Sequence, residues 1–579
     1  MAEKSGTVGP SSSSSSAALT ATQAFAELKR AANTVGTTVA NAAAKVEAQA
    51  QETYSRVASS APKPVPGTHA QEQAEKILAP GDAAVKGSGV PKAQDFWAQE
   101  FEGSPVPGVG KKGLFPVHAA SESQEALLDN GRDAFEARIQ ILQNAKTSIR
   151  MQALIFRNDE AGQAIAKILK EKKKQGLDVR VVVDYASNLD FPTQCMYYDL
   201  MLHGITVEGY EAAGLGWLNE MSTKDLGQID KRFHDKMLVV DAEDPKTRVA
   251  IIGGRNVANE YFDLGSEVKT CWRDSDRLEK GPQVADIAAT FDRNYKDQED
   301  IKKSLGDVTN KAWTAWRRLK PSDLNYPVKV NAVSQAMVDA WVKEAPTRKF
   351  VTRRTIFRFV QSRPRDQYKE TYIHQAYTHL FRAAQKELLV ENAYFIPDDK
   401  NTAKARKNML LNDQAHIDAL KDAARRGVKV TIITNSAESN DLPQMAFASR
   451  YLYQELLAVN QDPETIKNGG KLVIAEWNPK KKDPNGVALG TLHAKHAVAD
   501  GRYGVGGSYN LDPRSFGLNS ETAGMTEGET NADEAEGIRY VLKYHTDIIT
   551  PKQAAQFHKP MSTKEMAQMR LSVALSTQF

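Results

Sequence analysis

Two registers of apolar spacing alternate along this chain, one of helical period and one of strand period, and their order occurs twice. Residues 133–156, DAFEARIQILQNAKTSIRMQALIF, open with helical spacing and close on a strand ending at Phe156. Residues 374–397, HQAYTHLFRAAQKELLVENAYFIP, have the same grammar, aligning Ala145, Ile149 and Met151 with Ala384, Leu388 and Val390, and Phe156 with Phe395. Each segment leads into an amphipathic helix closed by a glycine and then a β-rich run. These are AIAKILKEKKKQG before LDVRVVVD, with Gly176 as the cap, and HIDALKDAARRG before VKVTIITN, with Gly427. Strands alternating with helices predict an α/β sheet covered on both faces. The internal repeat predicts two facing lobes, at 116–320 and 340–550, each a mixed β-sheet flanked by helices.

The rest of the chain is patterned more weakly. Residues 1–67 read as a flexible Ser/Ala-rich leader, with helical spacing through Phe25, Leu28, Ala32, Val35 and Val39 and a Pro-rich linker at its end. Residues 68–115 form an irregular, helical-to-disordered extension, 321–339 a connector, and 551–579 a tail. Trp313, Trp316 and Trp341, set among Arg317, Arg318, Arg353 and Arg354, are expected to pack the connector, with an acyl-chain groove as the sharper reading.

Composition narrows the chemistry. The 76 basic and 72 acidic residues leave a net charge of +4, too mild for a phosphate-tracking groove, which argues against nucleic acid as partner. Lys172, Lys173 and Lys174, like Lys480, Lys481 and Lys482, read as solvated faces. The two cysteines, Cys195 and Cys271, stand in no metal-ligand spacing, and no metal or other cofactor is expected. No apolar run approaches the ~18 residues of a membrane span. The opening MAEKSGTVGPSSSSSS lacks the apolar core of a secretory signal. The expectation is a cytoplasmic protein or one peripheral to a membrane, with signal-less export as an effector a further route. Nothing in the sequence sets an oligomeric state.

One phrase carries the chemistry. His-x-Lys-x-x-x-x-Asp occurs as His234, Lys236 and Asp241, and again as His493, Lys495 and Asp500. Each copy is trailed by a glycine pair and an asparagine: Gly253, Gly254 and Asn256; Gly506, Gly507 and Asn510. On a strand, residues two apart share a face, so each lysine should lie beside its histidine while Asp235 points away. Asp241 and Asp500, an odd number of positions on, should face away and serve structural roles. Two histidines backed by two lysines suit phosphodiester cleavage through a covalent phosphohistidine. The lysines would neutralise the non-bridging oxygens, while Asn256, Asn510 and the backbone N–H groups near Gly254 and Ser508 would donate to them. Each imidazole also needs an acceptor on its second nitrogen. Asp274 and Glu521, at corresponding places after the two asparagines, are the candidates. Neither lobe alone holds a complete pair of motif histidines, so the site is expected at the interface.

The doubled motif, with GGRNVANEYFD behind the first copy and GSYNLDPRSFGLNSE behind the second, resembles the phospholipase D superfamily over about residues 116–550. The similarity is greatest to bacterial cardiolipin-synthase-like members. The resemblance implies a pseudo-twofold bilobal fold and a phosphohistidine intermediate. It further implies matching catalytic sets of His234, Lys236 and Asn256 and of His493, Lys495 and Asn510, with His234 as nucleophile and His493 as acid/base. It implies a phospholipid substrate met at a membrane surface, and either hydrolysis or phosphatidyl transfer to an alcohol. The competing readings are a nuclease of the same superfamily and a non-catalytic lipid- or partner-binding scaffold. The intact motifs weigh against the scaffold.

Overall fold

The computed structural model describes residues 121–184, 186–188, 190–210, 232–264, 271–305, 331–364, 370–396, 414–441 and 443–557. The expected leader and extension, Trp313, Trp316, Arg317, Arg318, residues 321–330 of the connector and 558–579 of the tail lie outside them. The first lobe runs β1 (Ser121–Leu128), α1 (Gly131–Asn144), β2 (Ser148–Ala153), α2 (Glu160–Lys174), β3 (Asp178–Asp184), α3 (Phe191–Leu202) and β4 (Thr206–Tyr210). A hairpin of β5 (Met237–Val240) and β6 (Val249–Gly253) follows, then β7 (Trp272–Arg273), β8 (Asp276–Lys280) and α4 (Val284–Leu305).

The second lobe begins after α5 (Ala332–Glu344) with β9 (Arg353–Ser362), α6 (Tyr372–Ala383), β10 (Glu387–Asn392), α7 (Gln414–Arg425) and β11 (Lys429–Asn435). Next come α8 (Pro443–Ala458), α9 (Pro463–Asn468), β12 (Lys471–Trp477), β13 (Thr491–Leu492), β14 (Lys495–Ala499) and β15 (Tyr503–Gly507). The lobe closes with α10 (Pro513–Gly517), β16 (Glu521–Gly528), α11 (Thr530–His545), β17 (Thr546–Ile548) and α12 (Pro551–Phe557).

The local signals explain these elements. Helix α2 starts where the Asp159 side chain accepts the Gly162 N–H, and it turns Ile165, Ile168 and Leu169 inward while Lys172, Lys173 and Lys174 close its last turn. Burying each such aliphatic side chain stabilises the lobe by about 1.5–3 kcal/mol. After α2 and α7 the backbone turns through Gly176 and Gly427 at φ 94° and 101°, where a Cβ would be strained.

Among the described residues the two lobes share one 15-stranded sheet, ordered β17-β12-β11-β10-β14-β15-β16-β9-β1-β8-β6-β5-β2-β3-β4. Read outward from its centre, the order is the same on both sides: β8-β6-β5-β2-β3-β4 matches β16-β15-β14-β10-β11-β12. The joint is the antiparallel pair β1–β9, centred on Ser123 opposite Thr355. These two strands had no counterpart in the periodicity reading, and they convert two facing lobes into one continuous sheet. Inner pairs β2–β3 and β10–β11 are parallel, and the motif hairpins β5–β6 and β14–β15 antiparallel. Helix α5 crosses the expected boundary at 340 and buries Val338 and Trp341 in the first lobe's core, where Trp341 meets Phe135. At the other end α12 carries Phe557 onto Tyr453 of the second lobe.

Candidate active site at the lobe interface

The motif strands begin later than periodicity places them. Strand β5 starts at Met237 and β14 at Lys495, so each histidine lies just ahead of its strand. There the backbone leaves its own hairpin and bonds the opposite lobe. The His234 N–H donates to Ser520 O at 2.9 Å, and the His493 N–H to Arg273 O at 2.6 Å. A two-stranded parallel pair, β7 with β13, makes the second of these crossings. The partner segments are remote in sequence, which is why local spacing does not foresee the break.

The rings cross the interface in the same way. His234 Nδ1 lies 2.8 Å from Glu521 Oε2, and His493 Nδ1 lies 2.7 Å from Asp274 Oδ2. A carboxylate only accepts, so each Nδ1 carries the proton and each Nε2 presents its lone pair. Each lobe therefore supplies one imidazole and the anion that orients the other. Glu521 is itself held by Ser508 Oγ at 2.5 Å, Ser515 Oγ at 2.6 Å and Asn519 Nδ2 at 3.5 Å. Asp274 accepts the Ser275 N–H at 2.8 Å. Gly254 makes room for it, since a Cβ there would lie 2.2 Å from Asp274 Oδ1. A Cβ on Gly507 would meet Thr522 O at 2.1 Å, the carbonyl that accepts the Ser508 N–H. Gly253 packs as closely on Asp276.

Lys236 Nζ donates to His234 O at 2.7 Å, and Lys495 Nζ to His493 O, so each lysine is tethered to its own motif. Asn256 accepts the Ile155 N–H and donates to the Tyr261 hydroxyl at 2.9 Å. Asn510 is buried, and its side-chain oxygen has no hydrogen-bond partner among the described residues. Asp235 points to the other side of the strand, where Gln361 Nε2 reaches it at 3.0 Å.

Asp241 and Asp500 sit off the strand ends in the left-handed region, at φ 52° and 56°. Asp241 accepts the N–H groups of Lys146 and Thr147, at 2.9 and 2.8 Å to Oδ1, with Ser148 at 3.3 Å. Asp500 does the same for Gln385, Lys386 and Glu387 at 3.0, 2.7 and 3.0 Å. The motif aspartates thus tie each hairpin to the turn that starts its neighbouring strand, β2 or β10. Asp241→Ala should lower stability by about 1–3 kcal/mol, because it leaves the part-buried N–H donors of this turn without their acceptor. Asp241→Asn should cost less, since asparagine tolerates positive φ and keeps one acceptor. Urea denaturation midpoints of the two variants check this ordering, and equal midpoints would refute it.

Several residues at the site carried no motif signal. The Tyr261 ring lies 5.1 Å from the His493 ring, edge-on, and Trp272 lies 5.2 Å from it. On the opposite face of β14, His496 is clamped between Glu391 at 2.6 Å and Glu534 at 2.5 Å. Arg277 bridges Glu534 to Glu125 of the first lobe, and Arg273 lies 3.4 Å from Glu391. This buried network holds the lobes together directly behind the histidines. Ser515 and Asn519 could have been suspected from their closeness to Glu521 in sequence. His496 reads only as a neighbour of the motif.

Burial and crowding of positive charge govern the site's protonation. Burial lowers His234 to about 4 despite Glu521, and burial followed by Lys495 and Lys236 puts His493 well below the usual range. Burial likewise lowers Lys236 to about 7 and Lys495 to about 8. Burial pushes Asp274 up, whereas at Glu521 the neighbouring His234 and Lys236 outweigh burial and hold it below the usual range. The site gathers neutral imidazoles and easily deprotonated lysines, and an anion bound there would favour their charged forms. Among the described residues no cluster of His, Cys, Asp and Glu could hold a metal ion, and no helix is long and apolar enough to cross a membrane.

The family described as "Cardiolipin synthase, PLD-like domain" matches residues 139–294 and 377–538, one copy in each lobe and more than half of the chain. An "Uncharacterized protein" of Helicobacter pylori is 25% identical over 447 residues, covering 74% of this chain and 80% of that one. Cardiolipin synthase A of Pseudomonas fluorescens is 26% identical over 427 residues, covering 74% of this chain and 69% of that one. The crystal structure of Haemophilus influenzae phosphatidylserine synthase is 18% identical with a TM-score of 0.48, covering 79% of this chain and 95% of that one. With a family match in both lobes, the chain belongs to the cardiolipin-synthase-type phospholipase D-like family and is an enzyme of the phospholipase D superfamily.

Proposed function

We propose that this protein transfers the phosphatidyl group of a phospholipid to an alcohol or to water through a phosphohistidine. The observation that carries the reading is the pair of imidazoles at the interface, each held in one tautomer by a carboxylate of the opposite lobe, beside two lysines. His234 Nε2 attacks phosphorus, forming the P–N bond as the bond to the headgroup oxygen breaks. His493 Nε2 gives its proton to that oxygen. The same His493 then takes the proton of the acceptor, whose oxygen displaces His234. Lys236, Lys495, Asn256 and Asn510 neutralise and bond the non-bridging oxygens. The secure negative charge of Glu521 favours His234 as nucleophile, because it stabilises the cationic adduct.

Protonation of His493 follows from the substrate. Burial first, and then Lys495 and Lys236, suppress it, and the charge of a bound diester offsets the lysines. Diester binding therefore takes up protons, and affinity falls as pH rises through about 7 to 8, where Lys236 and Lys495 lose theirs.

Vesicles of phosphatidylglycerol or phosphatidylethanolamine, incubated with the protein and a chelator, should give phosphatidic acid or cardiolipin. Phosphatidic acid reports hydrolysis and cardiolipin reports transfer. KM should rise between pH 7 and 8.5. DNA cleavage without lipid turnover would replace this reading with the nuclease one.

A further inference from the structure

The two halves of the site match closely, yet they diverge in polarity at the position just ahead of a shared bridge. Phe156 bridges Val257 in the first lobe as Phe395 bridges Leu511 in the second, so the residues ahead of them, Ile155 and Tyr394, correspond. Ile155 is aliphatic. Tyr394 instead donates its hydroxyl to Asp441 Oδ1 at 2.5 Å, from a half-buried position beneath an exposed carboxylate. Asp441 ends the short loop after β11, whose last residue Asn435 donates to Leu492 O at 2.7 Å, and Ala393, just ahead of Tyr394, donates its N–H to Ala494 O at 3.0 Å, so both segments run beside His493. The Tyr261 and Trp272 rings in turn pack around His493.

A carboxylate beside a pocket that collects phosphate can serve another part of the substrate. In-line displacement says which part. Nucleophile and leaving oxygen occupy opposite apices of phosphorus, so attack by His234 places the leaving alcohol on the His493 side. The acceptor alcohol enters by the same side. That is the side carrying Tyr394 and Asp441.

We propose that Tyr394 and Asp441, flanked by Tyr261 and Trp272, form the subsite for the alcohol half of the phosphodiester and for the acceptor that replaces it. With the tyrosine proton committed to Asp441, the pair presents acceptors only. Its ligand is a small alcohol carrying a second hydrogen-bond donor, either an ammonium or a further hydroxyl. The aromatic rings suit the former and the carboxylate suits both. This inference rests on the phosphatidyl-transfer reading above.

The test compares wild type, Asp441→Asn and Tyr394→Phe on three substrates: phosphatidylethanolamine vesicles, phosphatidylglycerol vesicles and bis(4-nitrophenyl) phosphate, which has no donor group. Asp441→Asn should raise KM for one lipid about tenfold, the value of a lost hydrogen bond to a charged group, with kcat little changed. It should also shift products from transfer towards hydrolysis when the matching free alcohol is added. Tyr394→Phe should move both readouts the same way by less. Selective loss on phosphatidylethanolamine assigns the ammonium, and selective loss on phosphatidylglycerol assigns the hydroxyl. The subsite is refuted if KM and product partition change less than twofold on both lipids, or if the headgroup-free diester loses as much as they do. Wild type that cleaves the nitrophenyl diester but neither lipid overturns the functional reading, and the subsite with it.

Discussion

His234→Ala should abolish turnover, with a loss on the order of 10⁴-fold or more, and should leave no covalent phosphorus on the protein. His493→Ala should lose turnover on a similar scale, yet the adduct should form with an activated diester and persist. The difference follows from the two roles. Without His234 there is no P–N bond to make. Without His493 a good leaving group still departs unaided, but water is not activated to resolve the intermediate. Acid-labile radiolabel retained on the protein from a labelled diester reads the adduct, and the reverse pattern would exchange the assignments. Glu521→Gln should act on the first step through His234, since an amide can leave the ring in the wrong tautomer. Because Glu521 and His234 work as a unit, the double variant should be scarcely worse than either single one.

His496→Gln should destabilise the protein by about 3–5 kcal/mol, the range for breaking a buried ion pair by removing one partner. Burial disfavours the charged ring, yet Glu534 and Glu391 outweigh it and raise His496 to about 10. The folded-state value lies above the unfolded one of about 6.5, so its stabilising contribution is complete below pH 6.5 and is lost as pH rises through about 10. Wild type should weaken across that window, and His496→Gln should lack that part of the slope. Denaturation midpoints at pH 6, 8 and 9.5 measure it. Parallel slopes for the two proteins would show that His496 is not held as an imidazolium. The loss should also reach the active site, because Arg273, which lies beside Glu391 in this network, carries the carbonyl that receives the His493 N–H.

Much of the lobes was legible because it is local. Helical period, glycine caps and alternating strands place β2, β3, β10 and β11 with their helices, since each signal acts within one or two turns of chain. The pairing of His with Lys two residues on is equally local. Strands β1 and β9 were not legible. Their partners are each other and the edge of each lobe, so no short-range pattern announces them. His496 was missed for the same reason, as Glu391 and Glu534 converge on it from two other elements.

By itself the sequence singled out the candidate reacting groups: two imidazoles, two lysines and two asparagines, repeated in order because the lobes repeat. It also singled out Asp274 and Glu521 as ring partners. It could not say which carboxylate serves which ring, because each pair spans more than two hundred residues and two lobes. Only the tertiary structure decided that each lobe orients the other's histidine, through the central β1–β9 joint and the β7–β13 crossing. The physical reason is that strand periodicity sets which face a side chain takes, while the lobe-to-lobe join sets what stands opposite that face.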